Sequence, residues 1–292
     1  MLSILIPIYN YNVLPLVTEL YKQCAENNIA FEILCQDDAS ESIHNLENEK
    51  VNALPYCSFV SLQKNIAHRE NRNSLAEQAK YAYLLFIDGD SIIIKSDYIK
   101  NYIANLHRFE IVYGGRLHPE KCPSKVQQLR WKYGRFIEDK RTSERKKAPY
   151  QSLLFNNTVI LKDCFDKVKF DRKMKKYGHD DTQLSYQLSL LHTTIIHIEN
   201  PVEHGDIDTN AIYVAKTKSS LENLKALYDE HKIEPSFVKL LKLYDFLKKT
   251  GLIIGVRFFY SIFNKPIYRN LVSGNASMFL FNLYRIGYLC SL

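Results

Sequence analysis

Residues 83–91 read Tyr83-Leu-Leu-Phe-Ile-Asp-Gly-Asp-Ser91, an apolar run that ends in two carboxylates separated by a glycine. The apolar run predicts a buried strand, and Asp88 and Asp90 follow it directly. Alternate residues of an extended segment point to the same side, so both carboxylates can face one divalent cation and the diphosphate that it carries. An Asp-Gly-Asp triplet is also typical of a surface turn, and its neighbours along the chain decide between the two interpretations.

Short apolar runs alternate with helical spacing over the first hundred residues. Helices are predicted at residues 13–27 and 71–80, and strands at residues 3–8, 31–36, 58–62 and 83–87. Such alternation predicts a parallel sheet covered by helices on both faces, in which ligands bind at the carboxyl ends of the strands. Tyr9, Asp38 and Asp90 each come just after a predicted strand, so we expect all three at this edge of the sheet.

The second half of the chain changes from a mixed pattern to a helical one. Strands are predicted at residues 111–115, 152–160 and 194–198, a helix at residues 181–191, and only helices beyond about residue 211. We therefore expect an α/β catalytic domain at residues 1–210 and a helical extension at residues 211–292.

The net charge of +7 is concentrated in the last part of the 292-residue chain. Residues 210–292 contain twelve Lys or Arg and five Asp or Glu, so residues 1–209 are neutral overall. This excess predicts attraction of the extension to an anionic surface. Residues 116–147 are also basic and contain interleaved aromatic side chains, but no nucleic-acid-binding signature accompanies them. We therefore expect no nucleic-acid partner.

The extension is amphipathic and rich in aromatic residues. Phe237, Leu240, Leu241, Tyr244 and Leu247 share one face of a predicted helix that also carries four lysines. No apolar run reaches the about 20 residues that span a bilayer. Two interpretations stay open: a helical bundle packed on the catalytic domain, or an interfacial helix attracted to anionic lipid.

Cysteine usage and the start of the chain bear on the compartment. Six cysteines without a Cys-x-x-Cys pair are typical of buried, reduced thiols. The apolar start lacks a basic segment and meets Pro7 after a few residues, which is not the pattern of a signal peptide. We therefore expect a cytoplasmic protein, located at the cytoplasmic face of the inner membrane if the extension binds lipid.

Asp90 is the stronger candidate for a metal ligand, and Asp88 is expected at a ribose or at a metal-bound water. A cation held by a carboxylate and by phosphate oxygens offsets the charge that develops when a diphosphate leaves. His204 follows a predicted strand and an Asn-Pro turn, so we expect it in a loop, as a third ligand. An imidazole beside carboxylates favours Mn²⁺ over Mg²⁺, because nitrogen is the softer donor. The alternative is that His204, like most single histidines, is structural.

Two further carboxylate sites have a functional and a structural interpretation each. Asp38, at a strand end, is able to accept hydrogen bonds from a nucleobase above a floor formed by Pro7 and Tyr9, or else it caps the following helix. Asp180 and Asp181 open a predicted helix, where they serve either as caps or as a general base. Together with the candidate metal site, these segments predict a metal-dependent enzyme that acts on a nucleotide-activated sugar.

The chain contains several segments in a recognisable order. After the strand at residues 3–8 come Asp37-Asp-Ala-Ser40, Asn65, Arg72-Asn73, Phe86-Ile-Asp-Gly-Asp90, Gly178-His-Asp-Asp-Thr-Gln-Leu184 and His197-Ile-Glu-Asn-Pro-Val-Glu-His204. This order resembles the GT-A glycosyltransferases of family 2, an inverting, metal-dependent group, and in particular a bacterial subgroup with a Gly-His-Glu-Asp-Thr segment. The likeness spans about residues 1–205.

The resemblance implies a fold, an activity and a cofactor. The implied GT-A fold is an α/β, Rossmann-like mixed sheet flanked by helices, here with a C-terminal helical extension. It implies a nucleotide-binding half at residues 1–110 of the catalytic domain and an acceptor-side half at residues 111–210. The implied activity is inverting transfer of a sugar from a nucleotide-sugar donor, UDP-linked, to a saccharide or lipid-linked saccharide in surface glycan biosynthesis. The implied cofactor is Mn²⁺ or Mg²⁺. Two alternatives stay open: a sugar nucleotidyltransferase and a non-catalytic module that docks on membranes.

The resemblance also implies a role for each candidate residue. Asp38 binds the base, Asp88 binds the ribose, and Asp90 with His204 holds the metal. The other implied nucleotide-sugar ligands are Pro7, Tyr9, Asn65 and Arg72, with Arg72 near the diphosphate.

On the acceptor side, the resemblance implies that Asp181 is the general base and that Asp180 orients the acceptor. The chain departs from the family at Asp180, where a glutamate is usual. The side chain is one methylene shorter, which puts the acceptor contacts of Asp180 in doubt and leaves the role of Asp181 intact.

Overall fold

A computed structural model describes residues 1–174 and 176–292, which fall into two compact units. The first unit comprises residues 1–117, 140–172 and 187–205. The second unit comprises residues 118–139, 173–186 (residue 175 apart) and 206–292. The second unit thus takes two segments from within the predicted domain at residues 1–210. Compact units do not define which residues are needed for catalysis, so the catalytic domain at residues 1–210 stays a prediction.

The strands of the described residues all belong to the first unit. They are β1 (Leu2–Ile8), β2 (Phe31–Asp37), β3 (Cys57–Ser61), β4 (Tyr83–Ile87), β5 (Ser91–Ile93), β6 (Ile111–Tyr113), β7 (Arg116–Leu117), β8 (Asn157–Leu161), β9 (Ile195–His197) and β10 (Val202–His204). Seven of them form the main sheet in the order β3-β2-β1-β4-β8-β6-β9, and β5-β10-β7 form a small second sheet.

The main sheet is mixed, as the resemblance to the GT-A fold implies, and not wholly parallel as the alternation of strands and helices predicts. Strands β1 to β4 pair in parallel, whereas β8 runs antiparallel to both β4 and β6. Every side chain of β1 and of β4 is buried, which explains why both strands are continuous apolar runs in the sequence. Their carboxyl ends therefore share one edge, where the candidate residues lie.

The α-helices follow the predicted order. They are α1 (Leu14–Glu26), α2 (Asn45–Asn48), α3 (His68–Gln78), α4 (Tyr98–Ile103), α5 (Gln128–Tyr133), α6 (Thr142–Arg145), α7 (Lys162–Asp166), α8 (Asp180–Leu190), α9 (Asn210–Asp229), α10 (Lys239–Lys249), α11 (Ile253–Val272) and α12 (Met278–Ser291). On α1, the buried residues Leu16, Val17, Leu20 and Cys24 form the apolar face that packs into the core of the first unit.

The extension is helical, as predicted, and supplies most of the core of the second unit. Apolar side chains of α9, α10 and α12 form this core, among them Leu224, Leu241, Tyr244 and Leu289. The amphipathic face predicted around residue 244 is therefore mainly a packing face. Among the described residues, no helix combines the length and the hydropathy that crossing a membrane requires.

Three predicted strands are shorter than expected, and the one predicted at residues 194–198 comprises only Ile195–His197. The strand predicted at residues 111–115 ends at Tyr113, because Gly115 adopts a φ of 102° that strands do not use. The strand predicted at residues 152–160 begins at Asn157, because a short 3-10 turn occupies Tyr150–Ser152.

Asn157, the first residue of β8, is fully buried and ties three segments together. Its Nδ2 donates to the carbonyl oxygens of Gly115 (2.7 Å) and Asn200 (2.9 Å). Its Oδ1 accepts from the hydroxyls of Tyr98 and Tyr102, both at 2.6 Å. This one side chain therefore fixes the chain segments that flank the small second sheet.

Replacing Asn157 with Leu is expected to lower the free energy of unfolding by about 3–6 kcal/mol, because four buried polar groups lose a partner. Urea unfolding followed by circular dichroism measures the change. Asn282→Ala, at an exposed position on α12, is the control and is expected to cost less than about 0.5 kcal/mol. A cost below about 1 kcal/mol for Asn157→Leu would contradict this account of the side chain.

Candidate active site

The Asp88-Gly-Asp90 segment forms a tight turn at the carboxyl end of β4. The backbone N–H of Ser91 donates to the carbonyl of Asp88 at 3.0 Å, which turns the chain from β4 into β5. Gly89 lies close to β1, since a Cβ there would be 3.3 Å from the carbonyl oxygen of Pro7. The glycine therefore lets the two carboxylates follow the buried strand without a steric conflict.

The pairing of β5 with β10 brings His204 to Asp90. In this antiparallel pair, His204 stands opposite Ser91. The His204 Nδ1 atom is 3.0 Å from Asp90 Oδ2, and both side chains are about one-fifth exposed. The N–H of Gly205 donates to the Asp90 carbonyl at 2.8 Å, and a Cβ on Gly205 would be 2.7 Å from that oxygen. The expectation that His204 lies in a loop was wrong, because it is the last residue of a strand.

Asp90 and His204 offer one carboxylate and one imidazole to a cation. In the chain outside residue 175, no group of three or more His, Cys, Asp and Glu side chains is arranged to hold a metal ion alone. A cation that takes two ligands from the protein and the others from phosphate oxygens and water fits such a pair. The mixed oxygen and nitrogen donors suit Mn²⁺ better than Mg²⁺.

Arg72 keeps Asp88 ionised. Its Nη2 donates to Asp88 Oδ1 at 2.6 Å, and the Arg72 side chain is only 2% exposed. The guanidinium also lies 5.3 Å from the ring centroid of Phe170. Burial raises the pKa of Asp88, but the charge of Arg72, with a contribution from His68, outweighs burial and holds this pKa well below its usual range. Asp88 is thus a fixed hydrogen-bond acceptor and not a proton carrier.

Asp38 lies just beyond β2 and is almost fully buried. Its Oδ1 accepts from the N–H of Ile66 at 2.7 Å, and its carbonyl accepts from Asn65 Nδ2 at 3.0 Å. Burial raises the pKa of Asp38, although backbone N–H groups oppose this effect. The alternative in which Asp38 caps the next helix was wrong, because α2 begins at Asn45 and its N-cap residue is His44.

Asp37 is a positioning residue that sequence reasoning did not separate from Asp38. It is fully buried and accepts hydrogen bonds from Ser40 N (3.0 Å), Asn45 Nδ2 (3.1 Å) and Ser61 Oγ (3.0 Å). Burial raises the pKa of Asp37, but these hydrogen bonds outweigh it and lower the pKa. Asp37 therefore holds the loop that contains Asp38. The sequence signal for this role was the pair of adjacent aspartates shortly before Ser40.

The loops after β1, β2 and β3 are held in conformations that favour glycine, although they contain other residues. Positive φ angles occur at Asn10 (55°), Ala39 (53°), Glu41 (51°) and Ala67 (71°). Each such residue costs about 1 kcal/mol or more and persists only where its surroundings fix it. Next to Asn10, the Tyr9 side chain is 65% exposed, whereas Pro7 is buried within β1. The carboxyl edge of the main sheet therefore exposes the Tyr9 ring to solvent on a backbone of fixed conformation.

Asp180 and Asp181 belong to the second unit, where they open α8. The two preceding residues, Gly178 and His179, have φ angles of 87° and 63°. A Cβ at Gly178 would also lie 2.7 Å from the Oγ of Ser220, so a glycine is required there. The turn before the two carboxylates is therefore fixed by its contact with α9.

His179 is a neutral part of this turn. Its Nδ1 atom is 3.1 Å from the hydroxyl of Thr182. Burial lowers the pKa of His179 to about 4, and nearby Arg285 contributes in the same direction against the effect of Asp180. At physiological pH, this histidine is therefore neutral.

Asn156 and Asn157 are site-forming residues that sequence reasoning missed. The carbonyl of Asn156 accepts from the N–H of Asp88 at 3.4 Å, and Asn157 anchors the adjacent segments. The signal was a pair of asparagines, Asn156 and Asn157, directly before the apolar run Val159-Ile-Leu161, a place where turn residues are common.

Two solved structures share this fold at low sequence identity. The mannosyltransferase PcManGT from Pyrobaculum calidifontis, in complex with GDP-Man and Mn²⁺, has 12% identity and a TM-score of 0.56, and the match covers 82% of this chain and 68% of that chain. S. aureus TarS 1-349, in complex with UDP-GlcNAc, has 15% identity and a TM-score of 0.50, with 97% and 89% covered. No curated protein matches the sequence.

The model of the family described as Glycosyl transferase family 2 matches residues 3–165. This segment is more than half of the chain and runs from β1 through β8, so it includes Asp38, Asp88 and Asp90. The chain belongs to glycosyl transferase family 2 and is a glycosyltransferase with the GT-A fold.

Proposed function

We propose that this glycosyltransferase is inverting and metal-dependent, and that it moves a sugar from a nucleotide-sugar donor to a saccharide or lipid-linked saccharide in surface glycan biosynthesis. The observation that carries the proposal is the pairing of Asp90 with His204 at 3.0 Å, directly after the buried strand β4. Membership of family 2 sets aside the sugar nucleotidyltransferase and the non-catalytic module. Residues 1–210 are the proposed catalytic domain.

The donor is proposed to be UDP-linked and to bind along the carboxyl edge of the main sheet. Asp38 accepts hydrogen bonds from the base, and the exposed Tyr9 ring with Pro7 forms the floor beneath it. Asp88, ionised and held by Arg72, accepts from the ribose hydroxyls. Neighbours of the same fold support a nucleotide-sugar donor, since they were solved with GDP-Man and with UDP-GlcNAc. Asn65 is the remaining proposed donor contact.

Asp90 and His204 are proposed to hold the cation, Mn²⁺ or Mg²⁺. When bound, the cation supplies positive charge that stabilises the leaving diphosphate. Arg72 adds a permanent positive charge near the diphosphate while its guanidinium holds Asp88 in place. The strand pairing that aligns Asp90 with His204 supports this assignment, because both ligands are positioned before any cation arrives.

Asp181 is the proposed general base, and Asp180 is proposed to orient the acceptor. The acceptor oxygen bonds to the anomeric carbon as the bond from that carbon to the diphosphate oxygen breaks, and the hydroxyl proton passes to Asp181. A single displacement of this kind inverts the anomeric carbon and forms no covalent sugar–enzyme intermediate. The position of Asp181 in the first turn of α8 supports the role, because the fixed turn at Gly178 and His179 holds the start of this helix in place.

His204→Ala is expected to weaken Mn²⁺-dependent UDP binding by about a hundredfold, because the cation loses one of two protein ligands. Calorimetric titration of UDP, with and without Mn²⁺, measures the change. Asp97→Asn, an exposed carboxylate shortly after β5, is the matched control and is expected to bind as the unmodified protein does. Unchanged Mn²⁺-dependent binding in His204→Ala would remove His204 from the site.

Asp181→Asn is expected to lower kcat by about 10²- to 10⁴-fold while UDP affinity stays the same, because a general base acts in the chemical step and not in donor binding. Release of the nucleoside diphosphate from the donor is the measured quantity. The matched control is Asp163→Asn, which changes an exposed carboxylate in the first turn of α7. If Asp181→Asn lowers only the melting temperature and keeps its turnover, Asp181 is a helix cap.

A further inference from the structure

Helix α11 presents an apolar face to solvent. Ile254, Phe258 and Ile262, four residues apart, form one row along the helix, and they are 72%, 68% and 52% exposed. Phe259 and Phe263 form the adjacent row, with ring centroids 4.6 Å apart, and both rings are more than two-fifths exposed. We call these five residues the α11 apolar face.

The opposite side of α11 packs against other helices of the second unit. The α11 apolar face is therefore exposed although the helix itself is held in place. Ile267 and Leu271 of α11 are buried among side chains of the second unit. The Tyr260 ring lies 5.8 Å from that of Tyr284 on α12, and a Cβ on Gly287 would lie within 3.0 Å of the Tyr260 ring. Arg257 also donates a hydrogen bond to the carbonyl of Cys290. The helix therefore has two apolar faces, and its packing in the second unit covers one.

The charged residues of α11 itself, Arg257, Lys265 and Arg269, are all basic. Asp245 is the last acidic residue of the sequence, and the 47 residues after it contain six Lys or Arg. Lys265 and Arg269 are exposed and continue the face along α11, since they follow Ile262 at helical spacing. Lys248 and Lys249, both exposed, end the preceding helix α10, where Lys249 forms an ion pair with Asp245 at 2.6 Å and Lys248 adds to the positive charge.

Further exposed apolar side chains extend the face toward the α10–α11 connection. Phe246, near the end of α10, is 54% exposed, and Leu252, directly before α11, is 55% exposed. An exposed apolar patch made of several neighbouring side chains marks an interaction site. Aromatic and aliphatic side chains beside an excess of lysine and arginine match the chemistry of a bilayer surface that carries anionic headgroups.

We propose that α11 lies flat on the surface of an anionic lipid bilayer, with the α11 apolar face in the headgroup region and Lys265 and Arg269 on the lipid phosphates. The charge favours lipid over a second copy of the chain, because two such faces would bring together only positive charges. The inference is independent of the chemistry proposed for the active site. It would bring the enzyme to the membrane on which a lipid-linked acceptor is carried.

Flotation of the full chain with vesicles tests the proposal. The vesicles are phosphatidylcholine alone, or about three parts phosphatidylcholine to one part phosphatidylglycerol. The protein is expected to float with the anionic vesicles and to be released by salt, because screening weakens the contribution of the charges. Phosphatidylcholine alone is expected to retain far less protein.

Two double variants separate the apolar and the charged contributions. Phe258→Ser with Ile262→Ser is expected to reduce partitioning at least about tenfold, since two apolar side chains are lost from the interface. Lys265→Ala with Arg269→Ala is expected to reduce it about thirtyfold, and only on anionic vesicles. Ile43→Ser is the matched control, because Ile43 is 83% exposed in the first unit and is expected to leave partitioning unchanged.

Circular dichroism shows whether each variant is folded. Calorimetric UDP binding, measured separately, shows whether the active site is affected, so failure of one proposal is distinguishable from failure of the other. The proposal is overturned if the unmodified chain stays unbound on anionic vesicles at low salt, or if both double variants float as the Ile43→Ser control does. It is also overturned if sedimentation shows a dimer that the Phe258→Ser, Ile262→Ser variant dissociates while vesicles bind nothing, because the face then serves a second copy.

Discussion

The antiparallel pairing of β5 with β10 is the constraint on which the candidate active site depends. It joins residues about a hundred positions apart in the sequence and sets His204 opposite Ser91, next to Asp90. Each of these strands has three residues, so the pair alone would be weak. Two further contacts support the pair. Gly205 has no Cβ and so leaves room for the Asp90 carbonyl, and the Asn157 side chain donates a hydrogen bond to the carbonyl of Asn200. The two candidate ligands are thus placed by backbone pairing and not by flexible side chains.

Much of the first unit could be predicted because its strands are continuous apolar runs. The runs at residues 3–8, 31–36, 58–62 and 83–87 each became a parallel strand within one residue at either end. Strands β5, β7 and β10 have only two or three residues, too few for any periodicity, so their sheet could not be foreseen. The antiparallel direction of β8 is likewise a matter of tertiary pairing that local sequence does not encode.

The site was predictable at the level of residue type, but less so at the level of contacts. The carboxylates at the ends of β2 and β4 were visible as acidic residues after apolar runs. The different environments of these carboxylates depend on hydrogen bonds from residues distant in sequence. Asp38 accepts from Ile66, Asp88 from Arg72, and Asp37 from Ser61. In the extension, the helix with the clearest amphipathic pattern packs its apolar face in the core, whereas α11 leaves one of its two apolar faces exposed. Amphipathicity alone did not distinguish these two outcomes.

The central claim is that the Asp90–His204 pair serves metal-dependent transfer from a nucleotide sugar. A donor panel tests it most directly: the chain is incubated with UDP-, GDP- and dTDP-sugars, with and without Mn²⁺, and release of the nucleoside diphosphate is followed. The account predicts release from a UDP-sugar that requires Mn²⁺ and is absent in Asp90→Ala. Release that is equal without any divalent cation, or that persists in Asp90→Ala, would contradict it.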